Sequence, residues 1–210
     1  MNYITFGELR SDDDLSLILS SKEIGSPKPK TKIVEIEGGD GVLDLTEFFG
    51  YTKYGNRTLK FVFSSMESFI EDYSRLLGLL HGQKMKIILS EEPDWYYIGR
   101  LSIGSGKAEN NKVYEITVEA DCEPYKYKMA QTVVTKSISG SLEITLKNSK
   151  KRVVPTITTN AEMNFKFNDT SYTASAGTFK IPELELKEGN NNVTVTGNGT
   201  VTFEYREGDL

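Results

Sequence analysis

Histidine, cysteine and grouped carboxylates do most of the chemistry in proteins, and in these 210 residues they are few and scattered. The one histidine, His81, stands beside Gly82 in the last turn of a helical pattern. There an imidazolium would meet the negative end of the helix dipole, a structural role. Nucleophilic triads and zinc sites draw on histidine with partners, and no His or Cys cluster accompanies it. The one cysteine, Cys122, lies between Asp121 and Glu123, whose charge opposes a thiolate, so it reads as a structural thiol. Asp40, Asp44 and Glu47, or Asp12 to Asp14, could offer oxygens to Ca²⁺, but neither group has the alternating spacing of a calcium loop. Glu91-Glu92-Pro93-Asp94 could supply a glycosidase carboxylate, yet no distant partner is evident and an acidic turn is the simpler reading. Gly38, Gly39 and Gly41 are followed by no Gly-Lys-Ser/Thr, so they cradle no phosphate. The chain reads as a non-enzyme without a catalytic residue, cofactor or metal.

The same glycines punctuate the backbone. Asp40-Gly41 is a strong turn pair, and three glycines within Gly38 to Gly41 let the chain reverse there. Thr31 to Glu37 alternates as a strand leading into that turn, with Ile33, Val34 and Ile36 as its buried residues. Before it, Ser26-Pro27-Lys28-Pro29-Lys30 forbids a helix and predicts an extended arm or connector. A helix is predicted over about 66–81, because Met66, Phe69, Ile70, Tyr73, Leu76, Leu77 and Leu80 share one face. Ser64 and Glu67 match a capping box, Glu71 and Arg75 an exposed i,i+4 pair, and Gly82 a left-handed C-terminal residue. That stripe needs a sheet to cover, and Thr58 to Phe63, Met85 to Leu89, Trp95 to Leu101 and Lys112 to Ala120 provide strands.

From about Thr132 the texture changes to short Thr- and Asn-rich strands: Ser141 to Lys147, Val153 to Thr158, Met163 to Phe167, Thr178 to Ile181, Asn192 to Thr196 and Thr200 to Tyr205. Short regular strands between turn residues predict a sandwich. The expected organisation is mainly β: an α+β N-terminal domain over residues 1–131 with one packed helix, then a small C-terminal β-sandwich over 132–210. The boundary is expected within Met129 to Ser139.

Composition narrows the function. Up to Gln131 there are sixteen Lys and Arg against twenty-one Asp and Glu, and beyond it nine against nine, so the net charge of −5 belongs to the first part. No basic patch beyond Lys150-Lys151-Arg152 suggests nucleic-acid binding, and that triplet reads as a solvated turn. No apolar run is long enough for a spanning helix, and the N-terminus has no basic and apolar leader segments, so folding in a cytoplasm is expected. The Asn-x-Thr sequons at Asn56, Asn168, Asn192 and Asn198 are then turn and strand residues. Phe165, Tyr172, Phe179, Phe203 and Tyr205 could stack on sugars, but their alternation points most of them inward.

The chain resembles the distal tail proteins of long-tailed, siphovirus-type bacteriophages or related prophages. The likeness rests on Gly39-Asp40-Gly41-Val42-Leu43-Asp44-Leu45-Thr46-Glu47 and on the strand from Asn56-Arg57 to Phe63. It continues through the helix and strand between Met66 and Leu89, the aromatic strand Trp95 to Leu101, and the closing segment Ala120 to Tyr127. Tyr205 to Leu210 resembles the family's tail end. Where the family commonly has a basic residue before the Asp-Gly turn, this chain has Gly39. The resemblance implies a virion protein made in the bacterial host cytoplasm, a homo-oligomer forming a hexameric ring. It would join the tail tube protein to tail-tip, baseplate or tail-associated lysin proteins. DNA would only pass through its lumen, and no membrane is involved. It implies a galectin-like or carbohydrate-binding-module-like C-terminal domain, and the alternative function is a carbohydrate-binding adsorption module of a tail tip.

Overall fold

The structure, a computed structural model, describes residues 2–65, 69–104, 106–109 and 113–210. It divides into two compact units, Met1–Lys126 and Tyr127–Leu210. The sequence placed the boundary a few residues later.

Among the described residues the first unit is a sheet with one helix. Its strands are β1 (Ile4–Phe6), β2 (Leu9–Arg10), β3 (Ile18–Ile24), β4 (Ile33–Glu35), β5 (Val42–Asp44) and β6 (Arg57–Ser65) before the helix α1 (Phe69–Leu79). After it come β7 (Lys84–Leu89), β8 (Trp95–Ile103), β9 (Lys107–Glu109) and β10 (Val113–Cys122), with β11 (Lys126–Lys128) at the division between units. The main sheet runs β2-β1-β7-β8-β10-β6-β3, while β4 and β5 pair only with each other. Alternation decides which side chains go inward. On β6, Leu59, Phe61 and Phe63 are buried, and on the neighbouring β10 so are Ile116, Val118, Ala120 and Cys122. Leu76 and Leu80 of the helical segment join this core together with Phe6, Leu15 and Leu17. Phe6 meets both Phe61 and Phe63 edge-on, at 5.8 and 6.1 Å between ring centres.

The helix departs from its sequence pattern in two ways, at Ile70 and at the Glu71 to Arg75 pair. Met66 and Glu67, with the proposed capping box, lie outside the described residues, and the side chain of Phe69 is likewise not described. Ile70, assigned to the core face, is 75% exposed. At about 100° per residue it falls on the flank of a stripe centred on Leu76 and Leu80, and Asp72 takes the other flank. Asp72 is buried, accepts a short hydrogen bond from Ser65 and pairs with Arg75 at 3.1 Å. Arg75 also donates to the carbonyl of Leu15 at 2.6 Å, which displaces the expected Glu71 to Arg75 pair. Tyr73 and Leu77 pack partly buried against the core, as their positions predict.

In the second unit the strands are β12 (Thr132–Asn148), β13 (Thr156–Thr159), β14 (Met163–Phe167), β15 (Thr170–Ala174), β16 (Gly177–Phe179), β17 (Gly189–Tyr205) and β18 (Gly208–Asp209). The expected short strands Ser141 to Lys147, Asn192 to Thr196 and Thr200 to Tyr205 are parts of two strands of 17 residues each, paired antiparallel along their whole length. The glycine interruptions bend these strands without ending them. Gly140 faces Gly197 across the ladder, and Gly197 and Gly199 have φ of 150° and 153°. A Cβ at Gly199 would sit 2.4 Å from Asn160 Oδ1. At that point the other edge of β17 changes partner, from β14 before the glycines to β13 after them. The two halves bury one common core, and Phe165 of β14 meets Phe203 of β17 at 6.3 Å. The layers of the sandwich are thus one folded sheet.

Candidate functional site

The segment between Ser26 and Asn56 leaves the main sheet as a hairpin arm. Pro27 and Pro29 hold one leg extended. It is tied to the other leg by Lys30 N–H to Lys53 O at 2.7 Å and Gly55 N–H to Lys28 O at 2.9 Å. Beyond these bonds β4 and β5 pair in the register Ile33 to Asp44, Val34 to Leu43 and Glu35 to Val42. The turn between them places Gly38 and Gly41 at φ of 76° and 77°, conformations that only glycine adopts at low cost. Gly39 donates to the Ile36 carbonyl at 3.1 Å, and a Cβ there would stand 3.2 Å from Ile36 Cγ2. The absence of a basic side chain at Gly39 therefore matches a tight local packing.

Two carboxylates of this segment make local hydrogen bonds. Asp44 accepts the Thr46 N–H at 2.8 Å, and hydrogen bonding from Thr46 holds its carboxyl below the ordinary value. Glu47 accepts the Thr52 hydroxyl at 3.0 Å. Among the described residues no three His, Cys, Asp or Glu side chains gather to hold a metal ion.

The arm's chemistry is apolar surface. Ile33, Val34, Ile36, Val42 and Leu43 are exposed, where the alternation had Ile33, Val34 and Ile36 buried. The correction has a simple cause: β4 pairs only with β5, and no described element covers either face. Phe48 and Phe49 follow at 74% and 68% exposure, edge to face at 5.4 Å, with Lys53 Nζ 4.3 Å over the Phe49 ring. Seven large apolar side chains are exposed within this one short segment, and apolar exposure on that scale marks an interaction surface. Sequence reasoning did not single out Phe48 and Phe49, although two adjacent phenylalanines in a turn-rich segment were a visible sign.

Its root is firmly built. Arg57 is only 7% exposed and carries its charge inside. It donates from Nε to Gly25 O at 2.8 Å and from Nη1 to Pro124 O at 3.4 Å, and its guanidinium lies 5.2 Å from the Tyr97 ring centre. Asn56 Nδ2 donates to Asp121 at 3.1 Å, and Tyr54 meets Tyr125 edge-on at 6.1 Å. Gly39, Asp40, Gly41, Leu43, Asp44 and Leu45 thus share the arm, while Asn56 and Arg57 clamp its base. Of the helix residues, Leu80 lies in the core, Tyr73 and Leu77 pack against it and Ile70 is exposed, and none of these four shares the arm.

The other reactive candidates have structural places. His81 lies beyond the end of α1 and accepts the Ile103 N–H on Nδ1 at 3.0 Å, so the ring caps a strand and not the helix dipole. Cys122 is fully buried, and burial, reinforced by Asp121, pushes its thiol up to about 12. Its room comes from Gly99, its strand partner, where a Cβ would sit 2.4 Å from the sulfur. Glu91 and Glu92 pair with Lys22 and Lys126, and Lys150 and Arg152 with Glu188 and Glu185. In the second unit Phe165, Phe203 and Tyr205 are core residues, with Tyr172 and Phe179 packed against them. A groove of about 530 Å³ with a polar lining that includes Glu143, Lys166 and Asn192 opens on that unit.

The fold defines a class: a β-rich protein with, among the described residues, a single helix in its first unit and a folded β-sheet unit after it. Within that class the chain is similar in structure to the SPP1 Dit (gp 19.1) protein, described as a paradigm of the hub adsorption apparatus in phages that infect Gram-positive bacteria. The TM-score is 0.69 at 16% identity, and the likeness covers 98% of this chain and 99% of that one. No protein-family model and no curated protein sequence matches the chain. Among the described residues no helix is long and apolar enough to cross a membrane.

Proposed function

We propose that the chain is a structural protein of a phage tail, a hub that assembles into a hexameric ring between the tail tube and the tip or baseplate proteins. The observation that carries this reading is the extent of the likeness to SPP1 Dit: it spans both units and nearly the whole of both chains. A shared fold alone hosts many functions. Here it is joined by an exposed apolar arm on a firm root, a feature suited to binding another protein and of no use to catalysis. The ring places the protein in the virion, and the carboxylate excess of residues 1–131 suits a lumen through which DNA slides. A sugar-binding adsorption module is the weaker alternative, because the aromatic rings of the second unit are occupied in its core.

Negative-stain imaging of the purified protein tests the reading. Sixfold rings are expected, and a uniformly monomeric field at high protein concentration contradicts it.

A further inference from the structure

The second unit has a long open edge. Among the described residues β12 pairs only with β17, so no strand lies along the other side of its 17 residues. An open edge offers N–H and C=O groups to any chain that can lie beside it, and folds usually guard it. The first half of β12 is guarded. Lys136 stands at an inward position, between Val134 and Ile138 in the alternation, and Gly140 turns the backbone with φ of 85°. The second half, from Ser141 to Asn148, has no proline, no glycine and no inward charge.

That half alternates cleanly. Ile144 and Leu146 are buried in the core, Ser141, Glu143, Thr145 and Lys147 are exposed, and Leu142 is left 39% exposed at the open edge. Glu143 and Lys147 take part in no ion pair among the described residues. Four residues apart on an extended strand, they stand about 13 Å from each other, too far to pair within one chain. The order Glu143-Ile144-Thr145-Leu146-Lys147 is self-complementary. Laid antiparallel on a copy of itself with Thr145 opposite Thr145, it sets Glu143 of each copy against Lys147 of the other, and Ile144 against Leu146. Register fixes the match. A slip of two residues loses both charge pairs, a slip of four sets Glu143 or Lys147 against its own copy, and a slip of one turns the apolar residues to the outer face.

We propose that Ser141 to Asn148 is a contact between two copies of this chain, paired edge to edge about a two-fold axis through Thr145. The half-sheet β15-β14-β17-β12 is then continued by its copy into eight strands. Lys147 O already accepts the Tyr205 hydroxyl at 2.6 Å, and its second lone pair serves the ladder. The contact goes beyond the ring proposed above and is of a different kind. It is isologous, so it closes at two copies, and on ring-forming chains it joins one ring to another. Cross-strand charge pairs each contribute modestly, so a single contact is weak and several made at once are strong.

The test is Thr145→Cys in the full-length chain under mild oxidation. Opposite residues of an antiparallel pair lie about 4.5–5.5 Å apart at Cα, within disulfide reach. Cys122 is buried and stays silent. A disulfide-linked dimer is expected, with none from Ser171→Cys, which is exposed on β15 at the opposite edge of the half-sheet. Charge gives a second readout, the doubling of mass followed by sedimentation. Glu143→Lys and Lys147→Glu each weaken it about tenfold. Mixing the two variants restores it, because in the mixed pair every lysine again meets a glutamate, and so does combining both substitutions in one chain. A cross-link no faster than that of Ser171→Cys, or a doubling that ignores these charges, overturns the contact. Negative-stain images of the same samples keep the two readings apart: sixfold rings without the cross-link leave the ring standing and the edge contact refuted, and a cross-linked dimer without rings does the reverse.

Discussion

Arg57 shows how a single side chain can hold up an interaction surface without touching a partner. Its buried guanidinium joins Gly25, at the end of β3, to Pro124, beyond β10, and so fixes both feet of the arm. Replacing it by alanine leaves carbonyls without donors and removes the ring contact to Tyr97. The expected cost of Arg57→Ala is about 2 kcal/mol of unfolding free energy, read from denaturant midpoints, and an unchanged midpoint would contradict the clamp. Glu207 gives a pH-dependent counterpart in the second unit. Burial opposes its charge, but hydrogen bonds from Lys128, Ser149 and Thr132 outweigh that and hold its carboxyl below the ordinary value. A depressed folded-state value contributes stability that is fully present above the unfolded value of about 4.3 and is lost as pH falls through the folded one. Glu207→Gln should lower the thermal midpoint at pH 7 and narrow its difference from wild type as the pH drops below about 4. A difference that stays constant with pH would sink the assignment. These roles were only partly legible in the residues. Arg57 stood out as a motif position, whereas its acceptors lie in segments far along the chain that pattern cannot connect.

The core elements were legible where alternation is strong. On β6, the Leu59, Phe61, Phe63 series points where a period of two says it should, and Leu76 and Leu80 hold the centre of the helical stripe. Two kinds of element were not legible. Glycine within Asn192 to Thr200 reads locally as a turn, yet cross-strand pairing with β12 carries the strand through it, so three expected strands became parts of two long ones. The β4–β5 hairpin has a pattern fit for burial but no described element above it, and burial is a property of the neighbours, not of the strand. That exposure makes a prediction at this scale. Joining Lys32 to Leu45 by a short Gly-Ser turn deletes the hairpin at a point where Leu45 N–H already bonds to Lys32 O at 2.8 Å. The protomer's melting temperature should stay unchanged while self-association falls, since exposed residues add little to the fold and much to a contact. Loss of folding on this deletion would show that the hairpin is part of the core.

For the whole molecule, the candidate reactive residues have structural places: His81 accepts a backbone N–H, Cys122 is sealed by Gly99, and Asp44 caps a turn. The arm exposes a run of apolar side chains and is anchored at its base, within a chain whose fold is similar to SPP1 Dit along nearly its full length. The account stands on one claim, that copies of this chain assemble through that arm into a ring. Negative-stain images of the wild-type protein, taken beside those of Phe48→Ala with Phe49→Ala, test it most directly. Sixfold rings for the wild type and isolated protomers for the variant are the predicted result. Isolated protomers for both, or intact rings for both, would contradict it.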